Sequence, residues 1–297
     1  MRLSVCIVNW NTREDVAECL SALQAAMAGL EAEVIVVDNA SADGSADLVR
    51  ERFGWARLIA NSENLGYARG NNQAIEASAG DLALLLNPDT VMPPDGLRQL
   101  VAFAEEHPEA GAIGCRLVYP DGRVQQSCRS FPTPDIILYE YIGLSRLFPR
   151  SRVFGKYRMS WWDYGDVREV DQPMGSCLLL RREALEQVGL MDEQFPIFFN
   201  EVDLCFRLKQ AGWRILYTPE PSVVHKVGRS TRQVKLRMII ESHDSLLRFY
   251  RKHYAASLRP HALYGVIALV QTGKWARVAG GRVRRMVLRE HCRDLCP

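Results

Sequence analysis

Three short segments of this 297-residue chain carry side chains that could do chemistry together. Asn87-Pro88-Asp89-Thr90 closes a strongly apolar run, Asp81 to Leu86. A carboxylate at a strand end is a natural ligand for a hard divalent cation such as Mg2+ or Mn2+, which prefers oxygen and shares its sphere with substrate phosphates. Asn-Pro and Asp also simply end strands, so a turn accounts for the same letters. Asn200-Glu201-Val202-Asp203 follows the aromatic run Phe195 to Phe199. Apolar surroundings raise a carboxyl pKa and make a useful base. Asn200 as a helix N-cap, with acids in the first turn, is the plainer reading. His225 stands after Pro219-Glu220-Pro221 and before Gly228, where an imidazole either ligates or merely packs.

Chemistry at these points needs elements that bring them together. Leu3 to Val8 and Glu33 to Asp38 are near-continuous apolar runs, as strands buried on both faces are. Between them Val16, Leu20, Leu23 and Met27 fall on one helical face, behind a weak capping box at Thr12 and Asp15. Asp47 to Phe53 reads as a helix and Leu58 to Ala60 as a strand. Gly66 to Ala79 is a loop opening into a helix, Asp81 to Leu86 a strand, and 95–106 a helix. Alternating strands and helices give an α/β fold with a mostly parallel sheet flanked by helices. Ligands bind such sheets beyond the carboxyl ends of the strands, where Asn9, Asp38 and Asp89 all fall. Short strands are expected near Ile113 and at Leu117 to Tyr119. Residues 130–165, rich in aromatics, Pro and Arg without a period, read as a long irregular excursion. Ser176 to Arg181 and Arg214 to Thr218 read as strands, Pro219-Glu220-Pro221 as a turn, and Asp203 to Ala211 as a helix ended by Gly212.

Composition narrows the class. Apolar residues make up 47% and charged residues 24%, an ordinary globular balance. No run reaches the roughly 18 apolar residues of a membrane span, and the start lacks a secretion signal, so the cytosol is the expected location. The eight cysteines form no Cys-x-x-Cys pair, which speaks for buried thiols over a zinc or redox site. A net charge of +2 conceals an acidic body and a basic tail after residue 225. Such a tail suits an anionic membrane surface; nucleic acid is not an expected partner.

Taken together, Val8-Asn9-Trp10-Asn11, Val36-Val37-Asp38-Asn39-Ala40-Ser41, Asn64 to Asn72, Leu86-Asn87-Pro88-Asp89, Met174-Gly175-Ser176-Cys177, Phe198 to Cys205 and His225 to Gly228 resemble, in order, the motifs of glycosyltransferase family 2 with its GT-A fold. The likeness spans roughly residues 3–233 and is nearest to rhamnosyltransferase-like enzymes of bacterial cell-surface polysaccharide synthesis. It implies a catalytic domain at 1–233 and a basic helical C-terminal extension at 234–297. It implies a donor pocket lined by Asn9, Asp38, Asn64, Gly66, Arg69, Asn72 and Asn87, with Asp38 accepting the N3–H of a uracil or thymine ring and Arg69 near phosphate. Asp89 and His225 would bind Mg2+ or Mn2+, Glu201 would be the base with Asp203 in reserve, and Gly175 and Ser176 would meet the acceptor. The donor would be a dTDP- or UDP-sugar and the acceptor a glycan or lipid-linked hydroxyl. Two positions depart from the family pattern. Asn87 stands where the metal motif has its first Asp, and Glu201 where the base is usually Asp.

The tail itself divides two readings. Ser242 to Tyr254 and the apolar Leu263 to Val270, followed by Lys274, Arg277, Arg282, Arg284, Arg285 and Arg289, suit a helix lying on the inner face of the cell membrane. They suit equally a helical cap packed on the body. A nucleotidyltransferase would need a Gly-rich loop where Asn9-Trp10-Asn11-Thr12 stands. A degenerate, non-catalytic sugar-nucleotide binder is the non-enzyme alternative.

Overall fold

The computed structural model describes residues 2–227 and 235–294, apart from the side chains of Lys235 and of 281–294. Gly228, Cys296 and the side chains of Cys292, Arg282, Arg284, Arg285 and Arg289 therefore lie outside the described residues. The first half is a regular alternation: β1 (Leu3–Asn9), α1 (Arg13–Ala26), β2 (Ala32–Asp38), α2 (Ser45–Arg52), β3 (Arg57–Ala60), α3 (Tyr67–Glu76) and β4 (Leu82–Leu86). After it come β5 (Thr90–Val91), α4 (Gly96–Glu106), β6 (Ala110–Val118), β7 (Cys128–Arg129), α5 (Pro134–Ile142), α6 (Leu144–Leu147), β8 (Arg168–Glu169) and β9 (Gln172–Pro173). The last part holds β10 (Cys177–Arg181), α7 (Arg182–Val188), α8 (Asn200–Gln210), β11 (Arg214–His225), α9 (Lys235–Phe249), a π-helical turn (Tyr250–Tyr254) and α10 (Pro260–Asp294).

The main sheet runs β3-β2-β1-β4-β10-β6-β11-β5, with β8 beside β11. Strands β1 to β4 pair in parallel, β11 runs parallel to β6, and β10 is antiparallel to both its neighbours. The apolar runs are continuous because both faces are covered. Leu3, Val5 and Ile7 join one core with α1, α2 and α4, while Cys6 and Val8 join the other with α3, α7 and α8. The strand order turns back between β1 and β4, and at such a point the loops beyond the carboxyl ends part to form a crevice. Gly70 lets α3 lie on β1; a Cβ there would come within 2.8 Å of Val8 Cγ1.

Several local expectations are corrected. Thr12 makes no cap to α1; its hydroxyl donates instead to Asn9 Oδ1 at 2.6 Å. The two short strands near Ile113 are one strand, β6. The strand from Arg214 does not stop at Pro219 but continues, with a shift of register, to His225. Residues 130–165 are no open excursion. They hold α5 and α6 and end in a packed aromatic cluster, with Trp162 stacked on Tyr164 at 4.2 Å and edge-on to Tyr217 at 4.7 Å. All six cysteines with described side chains are free and buried.

The C-terminal helices pack on this body. Leu246, Leu247 and Tyr250 form a core with Ile137 of α5 and with Val266 and Val270 of α10. The inner face of the Leu263 to Val270 run is thus spent on protein contacts. Among the described residues no helix is long and apolar enough to cross a membrane.

Candidate active site

Beyond β1, β2 and β4 lies a cleft of about 480 Å³ whose wall includes Trp10, Asn39, Asn64, Gly66, Tyr67, Asn87, Asp89, Gly175, Ser176 and Glu201. The first part of α9 closes one side with Arg237, Met238 and Glu241. Residues from seven separate segments thus meet where the sheet topology places a ligand.

Asp89 is fixed by its turn. The Asn87 carbonyl accepts from Thr90 N and Oγ1, Asn87 N donates to Ser176 O at 2.9 Å, and Lys226 N donates to Asp89 O at 2.9 Å. The antiparallel pairing of β5 with β11 sets Thr90 opposite His225. That pairing brings His225 Nε2 to 3.4 Å from Asp89 Oδ1, both side chains being buried.

Gln125 decides which nitrogen of the ring is available. Its Nε2 donates to the carbonyls of His225 and Val118 at 2.6 and 3.1 Å. Its Oε1 must then accept, and the atom facing it at 3.0 Å is His225 Nδ1. In its neutral form the ring so held would carry its lone pair on Nε2. A lone pair and a carboxylate oxygen 3.4 Å apart repel unless a proton or a cation sits between them. Nearby, Asn87 Oδ1 and Ser176 Oγ are buried with no hydrogen-bond partner among the described residues. Oxygen and imidazole donors left unsatisfied in one wall fit a hard divalent cation. No group of three or more His, Cys, Asp or Glu forms a ready cage among the described residues, and Mg2+ commonly takes few protein ligands and fills its sphere with phosphate and water.

Glu201 opens α8. Phe199, at φ 68°, makes the sharp entry, so the helix starts at Asn200, three residues before the expected Asp203. Asn200 is not the cap but the first helical residue; its Oδ1 accepts from Glu201 N at 2.7 Å. Burial in this wall pushes the Glu201 carboxyl up to about 7, although its own and the Val202 backbone N–H groups favour the charged form. Gly175 packs against it, since a Cβ there would lie 3.5 Å from Glu201 Cβ. Tyr67 stands alongside, donating from Oη to Gly175 O at 2.8 Å.

Gly66, at φ +87°, has room for no side chain: a Cβ would meet Pro196 O at 3.0 Å. Its bare backbone lets Tyr67 N and Ala68 N reach that carbonyl and tie α3 to the segment before α8. Asn64 caps the loop by accepting from Gly66 N, and Asn39 donates to Gly66 O at 3.0 Å.

The remaining expected site residues stand apart from the cleft wall. Asp38 and Asn9 are buried beside it, joined at 2.8 Å, and the other Asp38 oxygen accepts from Ser41 N. Asn72 clamps the Met191 backbone through both ends of its amide. Arg69 is exposed and pairs with Glu193 at 3.4 Å. Asp203 is fully buried, with Arg207 Nε at 2.8 Å, Lys252 Nζ at 2.7 Å and His253 Nε2 at 2.7 Å around it. Burial alone would raise its pKa, but the bonds from His253, Lys252 and Arg207 win and pull it to about 2. It is locked as an anion. Replacing Asp203 by Asn removes the buried carboxylate charge that Arg207, Lys252 and His253 share, an expected loss of about 3 kcal/mol. Thermal melting should then fall by roughly 6–12 °C; a shift under about 2 °C would contradict this role.

The chain is similar to known proteins. The family model described as Glycosyl transferase family 2 matches residues 4–189. An N-acetylglucosaminyl-diphospho-decaprenol L-rhamnosyltransferase of Mycobacterium tuberculosis is 33% identical over 224 residues, covering 71% of this chain and 72% of the relative. Among solved structures, the mannosyltransferase PcManGT from Pyrobaculum calidifontis, in complex with GDP-Man and Mn2+, is similar over 99% of this chain and 80% of its own, with a TM-score of 0.60 at 18% identity. TarS 1-349 of S. aureus in complex with UDP is similar over 91% of this chain and 71% of its own, with a TM-score of 0.52 at 15% identity.

Proposed function

The chain belongs to glycosyltransferase family 2, with the GT-A fold, and from that premise we propose a metal-dependent transferase that inverts configuration. Its donor is a nucleoside-diphosphate hexose, dTDP-rhamnose first, and its acceptor a hydroxyl on a sugar carried by a lipid diphosphate. The enzyme class rests on the family; the finer reading rests chiefly on one observation. Glu201 shares a cleft with Asp89, and its carboxyl is poised near neutrality.

The roles follow from the placement. Asn9 and Asp38 would back the nucleotide end from behind the wall, and Asn64 to Tyr67 would flank it. Asp89 and His225, with Asn87 and Ser176 beside them, would hold Mg2+ or Mn2+, which when bound offsets charge on the leaving diphosphate. Glu201 takes the proton from the acceptor hydroxyl as that oxygen attacks the anomeric carbon. One displacement from the face opposite the diphosphate inverts that carbon. Gly175, against Glu201, leaves space for the acceptor. Such a reaction on a lipid-linked sugar belongs at the inner face of the cell membrane.

The test supplies dTDP-, UDP- and GDP-sugars with Mn2+ and a lipid-diphosphate sugar acceptor, and follows nucleoside diphosphate release and the anomeric configuration of the product. Release with inversion is expected. Silence with every donor would leave a non-catalytic binder, and retained configuration would remove Glu201 as a base. Because the base must be ionised, kcat/KM should climb nearly tenfold per pH unit below about 7 and level off above it. A rate flat from pH 5 to 8 would count against the assignment.

A further inference from the structure

The outward side of the helical layer carries a surface that sugar transfer leaves without a role. Eleven large apolar side chains are exposed among the described residues, and five of them fall between 138 and 153: Leu138, Ile142, Leu147, Phe148 and Val153. Leu138 and Ile142 lie one turn apart on α5, and Leu147, on α6, is 69% exposed. The patch has a firm base. Phe154 packs on Tyr139 and Phe148 with ring centroids 5.1 and 5.6 Å apart, and Ile137, beside Leu138, is buried in the core with α9 and α10. Its surround is basic: Arg146, Arg150, Arg152 and Lys156 are all exposed. Of its two acids, Glu140 already pairs with Arg158 at 3.1 Å and Asp135 accepts from Thr133 Oγ1.

Helix α10 carries a separate stripe, turned away from α5. Tyr264 and Trp275 are 68% and 58% exposed. Eleven residues make about three helical turns, so they share one face, opposite the buried Val266 and Val270. The two helices cross closely: Gly273 faces Tyr141, where a Cβ would have no room, and the Arg277 guanidinium lies over the Tyr141 ring at 5.9 Å.

We propose that the α5–α6 face seats the protein on an anionic lipid bilayer. Isolated apolar side chains are ordinary on a protein surface, but a contiguous group rimmed by cations is the signature of an interfacial site. Leucine, isoleucine and phenylalanine enter the acyl boundary, and the arginines meet lipid phosphate. Charge selects this occupant over a second copy of the chain, because a two-fold pairing through the patch would set like cations against each other. Helix α9 links the face to the cleft: its far half packs with Ile137, and its first turn carries Arg237 and Met238 in the cleft wall. The seating depends on no step of the transfer reaction.

Flotation of the full-length protein with vesicles tests it. Vesicles of phosphatidylcholine with about one third phosphatidylglycerol should carry the protein at low salt, and pure phosphatidylcholine should carry little. The double substitution Leu147→Glu and Phe148→Glu should weaken partition at least about a hundredfold. Arg146→Gln with Arg150→Gln should weaken it about fivefold per charge and flatten its salt dependence. Both pairs should melt within a few degrees of the parent, since the changed side chains are exposed. Undiminished flotation of the Leu147→Glu, Phe148→Glu variant would overturn the proposal, as would a dimer in light scattering that the same pair of substitutions dissociates.

Discussion

Replacing Glu201 by Gln is expected to reduce turnover by about 10²- to 10⁴-fold while leaving nucleotide affinity within about twofold. The amide keeps the shape and can accept the same backbone N–H bonds from Glu201 and Val202, but it cannot take a proton from a hydroxyl. A second readout separates this from damage to the fold. Burial raises the Glu201 carboxyl to about 7, above its value in an unfolded chain. The charged form is therefore the disfavoured one, and its cost grows from about pH 4.5 and is complete above about pH 7. The neutral amide escapes that cost, so the variant should melt at least as high as the parent at pH 8 and lose this advantage near pH 4. Slow turnover with lower thermal stability at pH 8 would point to a structural role; near-normal turnover would move the base elsewhere.

Removing the Asp89 carboxylate by substitution with Ala should erase the dependence of donor binding on Mn2+. The Asp89–His225 pair offers a carboxylate oxygen and an imidazole lone pair 3.4 Å apart, with the ring oriented by Gln125. Two acceptors so arranged have affinity for a cation built into their positions. In calorimetry, the parent should bind nucleoside diphosphate far more tightly with Mn2+ than with EDTA. The variant should bind equally weakly in both, a loss of at least about a hundredfold in the presence of the metal. An unchanged response to Mn2+ would reject Asp89 as a ligand.

How much of this was legible beforehand depends on where the ordering forces lie. β1, β2 and β4 announce themselves because a strand covered on both faces is apolar at every position. Glu201 and Asp89 are readable because their segments keep a recognisable order. Residues 130–165 are not, since Trp162, Tyr164 and Tyr217 order one another across the fold and leave no period in the sequence. Pro219 and Pro221 suggest a stop, yet β11 passes through them by shifting register. Gln125 has no local signature at all. It matters only because it lies against a histidine 100 positions away. The basic tail is visible as charge alone; that Lys252 and His253 close on Asp203 is a property of the packed helices.

The bond network around Asp203 has a consequence for anyone recombining these enzymes. Helix α8 brings Glu201 into the cleft at one turn and, two residues later, delivers to the interior a carboxylate held partly by Lys252 and His253 from the chain's final quarter. Chimaeras that join the first 233 residues to a relative's C-terminal helices would inherit the buried Asp203 carboxylate without Lys252 and His253. The natural unit of exchange is α8 together with residues 252–253, and a junction drawn between them divides one electrostatic object in two.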